Sequence, residues 1–261
     1  MQKEGKKPFD IFKLGNTALD IVEIILTLFV VLIGFYSMYD SHLIKEGAND
    51  NSLKRFKPGY EGEEPDREIK GKMVAWLTID DTPIDYPVMQ GETNEEYLDK
   101  DPYGDYSLSG SIFLDSRNAD DFSDPYSLIY GHHMSGDSMF GPLTRYMHES
   151  FFKKHQDGEL IVGNDIYSIR FYTVLKVSVS EGIIFDPTEY AVSEIQKFIE
   201  DEAFILDKKE QKAGKGARLI ALSTCRYPDT MDRTVVIGYL SDKPVSHISD
   251  QETERDLHAQ A

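Results

Sequence analysis

The chain contains one cysteine, and its position invites chemistry. Cys225 closes the apolar run ARLIALSTC, after which the chain turns polar at once, RYPDTMDR. A side chain at a strand end, beside a turn, is more accessible than one in mid-strand. The competing reading is a small buried hydrophobe. A thiolate is the nucleophilic form, and a thiol with an ordinary pKa of about 8.5 needs a neighbouring cation or base to act near neutrality. Among the histidines, His42, His247 and His258 fall in polar flanks and read as solvated, and His148 and His155 fall in a polar helical patch. The segment HESFF lacks the second His of a zinc-binding HExxH helix, so no metal is expected there. His132 and His133 instead follow the apolar run SLIY and a glycine, at another strand end. Strand alternation allows only one of this pair to face a given neighbour.

Arg233 opens the last apolar run, RTVVIGYL, eight residues after Cys225. A hairpin between the two runs would bring residues 225 and 233 to one rim. By itself such an arginine reads as a surface ion pair with Asp229 or Asp232. Beside a Cys/His pair, its planar donor fork can hold a peptide carbonyl or the oxyanion formed on attack. A single Cys excludes an internal disulfide framework and any CxxC metal or redox pair.

These residues need strands to position them. Short apolar segments bounded by Gly, Pro and Asp recur: MVAWLTI, TPIDYPVMQ, SGSIFLD, SLIYGHHM, ELIVGN, YSIRFYTVLKVSVS, ARLIALSTC and RTVVIGYL. They are rich in β-branched and aromatic residues, and the longest alternates. A helical patch is expected around Gly141 to His155. A second helix is expected over Pro187 to Ile205, where Val192, Ile195, Phe198 and Ile199 recur at helical spacing and Asp186 or Thr188 can cap the start. Seven or eight short strands with few helices predict a mainly β domain, a closed or nearly closed barrel.

The 261 residues carry 28 Lys+Arg against 46 Asp+Glu, a formal net charge of -18, which argues against a nucleic-acid binder. The mean hydropathy of -0.41 excludes a polytopic membrane protein but allows one span. From Ile24 to Tyr36 the chain reads IILTLFVVLIGFY, and its apolar character extends from about Ala18 to Tyr39. That is roughly 33 Å of helix, enough to cross a hydrocarbon core. Lys3, Lys6, Lys7 and Lys13 precede it, so the positive-inside rule predicts a cytoplasmic N-terminus and an extracellular remainder. The small-residue cleavage pattern of a signal peptide is missing. The expected organisation is a basic cytoplasmic segment (1–17), a membrane anchor (18–39), a juxtamembrane helix and linker lying outside the core (40–70), a catalytic domain (71–241) and a loose polar tail (242–261).

The combination resembles a known family. LSTC with an arginine heading the next apolar strand, and YGHHM upstream, is similar to the sortases, membrane-anchored cysteine transpeptidases of Gram-positive bacteria. VAWLTIDDTPIDYPVMQ, EEYL, GSIFLDSRN and the helix inserted before the Cys strand resemble class B sortases in particular. The resemblance implies an eight-stranded sortase barrel, preceded by an N-terminal helix and one transmembrane helix, with His132, Cys225 and Arg233 as catalytic residues and no cofactor. It implies cleavage of a C-terminal sorting motif in a secreted protein through a thioacyl intermediate, then transfer to an amine of peptidoglycan precursor or cross-bridge, or to a pilin lysine. Ala221 replaces the first Thr of the family's TLxTC, and Arg226 adds a second cation beside the thiol. A thiol peptidase that only hydrolyses, or a non-catalytic surface-binding module, are the other functions these residues allow.

Overall fold

The computed structural model describes residues 11–48, 51–134, 137–213, 217–225 and 232–249. Two compact units divide the chain, Met1–Leu43 and Ile44–Ala261. The first is dominated by helix α1 (Ile11–Ala48). Its stretch Leu19–Tyr39 is long and apolar enough to span a membrane, with a mean hydropathy of 2.4 and exposed side chains throughout.

In the second unit, a 3-10 turn (Asn51–Phe56) leads into β1 (Met73–Ile79), β2 (Asp85–Met89), β3 (Ile112–Leu114) and β4 (Tyr126–His132). A 3-10 turn (Gly141–Met147) and α2 (Glu149–Lys154) follow, then β5 (Asp157–Val162) and β6 (Asp165–Ser178). Next come α3 (Gly182–Phe185), α4 (Val192–Glu202), β7 (Ile205–Leu206), α5 (Lys208–Ala213), β8 (Arg218–Cys225), β9 (Asp232–Leu240) and β10 (Ser246–His247). Hydrogen bonding runs β6-β5-β1-β2-β3-β4-β8-β9, and β9 returns to β6. Eight strands therefore close a barrel, parallel at β2/β3 and β4/β8 and antiparallel elsewhere. The expected mainly β barrel is the observed one, and closure leaves none of its eight strands as a free edge.

The apolar runs of β4, β8 and β9 have a structural cause. Along these strands, successive residues alternate between two packed layers. Ile129, Ile220, Leu222 and Val236 join the barrel interior. Leu128, Leu219, Ala221, Val235 and Ile237 join an outer layer with Ile184, Ile195 and Ile199 of α3 and α4. Strands covered on both faces lose the polar alternation of half-exposed ones. Ala221 thus sits in the outer layer beneath α4, fully buried.

Three expectations are corrected. The inserted helix begins at Val192, because Asp186 instead accepts from Thr188 N, Thr188 Oγ1 and Glu189 N and stabilises a turn. At the true start, Glu194 accepts from the Ala191 amide at 3.0 Å. The polar tail is not wholly loose, since β10 pairs with β6 and Ile248 is buried.

The segment before β1 is also more than a linker. Leu53 packs with Trp76, Tyr103, Ile161 and Ile166 in one apolar cluster. Lys57 Nζ lies 2.8 Å from Asp85 Oδ1, which also accepts from Trp76 Nε1 at 2.7 Å and Thr78 Oγ1 at 3.0 Å. Burial pushes the Asp85 carboxyl up, but the hydrogen bonds from Lys57 and Trp76 outweigh it and hold it below its ordinary range. A lowered folded pKa contributes stability that is complete above the unfolded value and is lost as pH falls through the folded value. Unfolding stability of the protein should therefore drop on acidification through and below the carboxylate range. Asp85→Asn should flatten that drop and cost about 1–3 kcal/mol at neutrality. Denaturant titrations at neutral and acidic pH would check this, and an unchanged acid limb in the variant would refute it.

Candidate active site

Three neighbouring strands present the candidate residues at their ends. In the parallel pair β4/β8, His132 lies opposite Cys225. In the antiparallel pair β8/β9, Thr224 lies opposite Thr234, and one further step of that register brings position 225 opposite position 233. Positions 132, 225 and 233 therefore share one face of the sheet. Position parity identifies it as the outer face, the one on which Leu128, Ala221 and Val235 pack under α3 and α4. Beyond that helical layer the same face carries the candidate residues.

The glycine before His132 has no room for a side chain. A Cβ at Gly131 would meet Ile112 Cδ1 at 2.4 Å and the Phe140 ring at 2.8 Å. The position faces the packed interior, so the parity of β4 is pinned here and His132 must face outward. His133 falls on the interior parity and bridges to Met139. His132 is half-buried, and its Nε2 donates to the Leu98 carbonyl at 2.7 Å. A carbonyl can only accept, so a neutral ring in this pose keeps its lone pair on Nδ1. Of the two histidines, His132 should be the acid/base. Steady-state rates should collapse in His132→Ala and fall only modestly in His133→Asn. A dead His133 variant beside an active His132 variant would show the register assignment to be off by one.

Among the described residues, Arg233 does not pair with Asp232. Asp232 pairs with Lys176 at 3.3 Å instead, and Asp229 lies outside the described residues. Arg233 Nη1 is buried from solvent and has no hydrogen-bond partner among the described residues. A buried guanidinium donor is costly to leave unsatisfied, so one with no partner among the described residues is a candidate donor to a ligand or transition state. Arg233 borders a solvent-open cleft of about 250 Å³, lined also by Asn94, Glu95, Leu98, Phe113, Tyr130, Val179 and Phe185. Arg226 lies outside the described residues.

The other histidines have different partners. His155 is buried, stacks on Phe151 with centroids 3.9 Å apart, and bonds its carbonyl. His247 pairs with Asp165 at 2.7 Å on the surface. Among the described residues, no cluster of His, Cys, Asp and Glu can hold a metal ion.

Sequence reasoning missed two contributors. The Leu98 carbonyl that orients His132 is main chain, and no residue type signals it. Asp115 and Arg117, within SIFLDSRN, hold the cleft walls through contacts spanning up to 69 residues, which local spacing does not reveal.

A closed barrel with a thiol, an imidazole and a guanidinium at adjoining strand ends belongs to the class of cysteine acyl-transfer enzymes. Comparison with known proteins narrows this. The sortase domain profile matches residues 77–241, and the chain belongs to the sortase family. It is 27% identical over 238 residues to sortase B of Staphylococcus aureus, covering 84% of this chain and 95% of that protein. The crystal structure of Spy0129, a Streptococcus pyogenes class B sortase involved in pilus biogenesis, superposes with a TM-score of 0.59 at 36% identity, covering 66% of this chain and 94% of that one. The Staphylococcus aureus sortase B–substrate complex gives 0.60 at 29% identity, covering 68% of this chain and 82% of that one. The protein is a cysteine transpeptidase of the sortase B type.

Proposed function

We propose that the protein is a membrane-anchored transpeptidase whose Cys225 thiolate attacks a backbone carbonyl in a C-terminal sorting motif of a secreted protein. The single observation that carries this reading is the strand register that aligns positions 132, 225 and 233 on one face beside a solvent-open cleft. Attack forms the S–C bond and moves the carbonyl electrons onto oxygen, where the Arg233 donor meets the charge. Collapse breaks the C–N bond, and His132, carrying the proton it took from the Cys225 thiol, gives that proton to the departing amine. A thioacyl enzyme remains. A second amine then attacks, gives its proton back to His132, and displaces the thiolate as the new amide forms. The acceptor is an amine of peptidoglycan precursor or cross-bridge, or a pilin lysine.

The chain divides accordingly into a cytoplasmic segment (1–17), an anchor (18–39), a juxtamembrane segment (40–70), a catalytic domain (71–241) and a tail (242–261). The lysines ahead of Leu19 support an N-terminus inside and a catalytic domain outside the cell. Anchoring would hold enzyme, secreted substrate and lipid-linked acceptor at one surface. Protease added to intact protoplasts should digest the catalytic domain; full protection would reverse this topology.

Full-length protein in detergent, incubated with a library of quenched sorting peptides and an oligoglycine acceptor, tests the reaction itself. Mass spectrometry should find the peptide's N-terminal part joined to the acceptor. Hydrolysis alone with acceptor in excess would make the protein a thiol peptidase, and no turnover of any peptide would favour a binding module.

A further inference from the structure

The cleft beside Arg233 is walled by segments far apart in sequence, and one buried carboxylate ties them together. Asp115, just beyond β3, has a fully buried side chain. It accepts from Asn94 Nδ2 at 2.9 Å and from the Tyr130 hydroxyl at 3.1 Å, and both of these residues line the cleft. It also accepts from Arg117 through the backbone N at 3.0 Å, Nε at 2.9 Å and Nη2 at 2.9 Å. Arg117 then reaches the opposite wall. Its Nη2 donates to the Phe185 carbonyl at 2.7 Å and its Nη1 to Asp186 at 2.9 Å. The Asn94 amide is used at both ends, since its Oδ1 accepts from Ser116 N at 2.7 Å.

We propose that Asp115 and Arg117 are positioning residues that clamp the Asn94–Leu98 turn and the α3 end at a fixed separation, so that substrate meets a preformed cleft. The inference rests on the cleft being the peptide site. Three arguments support it. The forked guanidinium holds acceptors on two segments in one fixed plane, a geometry that a mobile ammonium does not impose. The same turn supplies Leu98, which itself lines the cleft, so the clamp sets the position of a cleft wall directly. A preformed cleft also spares the ordering cost that a loose one would charge on binding. Burial alone would push the Asp115 carboxyl up, yet the Arg117 and Asn94 hydrogen bonds hold it below its ordinary range, so it stays ionised in its role.

The clamp can be tested in full-length protein in detergent, with the fastest-turned-over peptide of the quenched library as probe. Arg117→Ala should raise KM at least about tenfold while kcat changes less than about threefold, and Arg117→Lys should recover only part of the loss. Inactivation of Cys225 by methyl methanethiosulfonate, a small neutral reagent that needs no cleft, should keep its rate within about twofold. Hydrogen exchange should quicken in residues 92–98 and 182–188 and stay unchanged in β8 and β9. A wild-type KM in Arg117→Ala, or faster exchange spread through the barrel strands in both variants, would overturn the clamp. If no peptide is turned over by the wild type, the functional reading fails, and the exchange pattern alone still decides for or against the clamp.

Discussion

Cys225→Ala is expected to abolish both peptide cleavage and amine transfer while leaving the barrel folded. No other thiol exists in the chain to take over. The backbone at position 225 ends β8, so the substitution leaves the pairing of Thr224 with Thr234 and the packed residues Leu219 to Thr224 in place. Far-UV dichroism and the unfolding midpoint should match the wild type, while turnover falls below about a thousandth. Residual activity above that level, in protein shown free of wild-type contamination, would mean that another group carries the acyl chain.

Arg233 is expected to act in the transition state. Its Nη1 is buried with no partner among the described residues, which suits a donor held for charge that develops later. Removing one such donor typically costs roughly 2.7–4 kcal/mol, about a hundred- to a thousandfold in rate. Arg233→Ala should lower kcat by that order with a smaller change in KM. Arg233→Lys should fall between, because an ammonium offers a mobile point charge in place of a fixed planar fork. Arg226→Ala, measured in parallel, should keep most activity. The reverse result, a thousandfold loss at Arg226 and near-normal rates at Arg233, would move the oxyanion role to the residue beside the nucleophile.

Much of this protein is local chemistry written in sequence. The eight barrel strands were legible because apolar, β-branched runs ended at Gly, Pro and Asp. YSIRFYTVLKVSVS became β6, and MVAWLTI became β1 without shift. His132, Cys225 and Arg233 were legible as strand-end residues, since each sits where an apolar run gives way to polar chain. The membrane-length helix was legible from length and hydropathy alone. Other features depended on partners distant in sequence. Leu53 reads as linker until Trp76 and Tyr103 cover it, and Ile248 reads as tail until it packs in the same cluster. Asp186 reads as a helix cap, yet it serves a turn and receives Arg117. That Cys225 pairs with His132 through parallel β4 and β8, 93 positions apart, follows from closing the barrel. Spacing along a chain sets periodicity and termini; which strand ends become neighbours is set by the hydrogen-bond register of the closed sheet. The Asp115–Arg117 clamp belongs to the same class, because a buried carboxylate gathers whatever donors the fold brings to it.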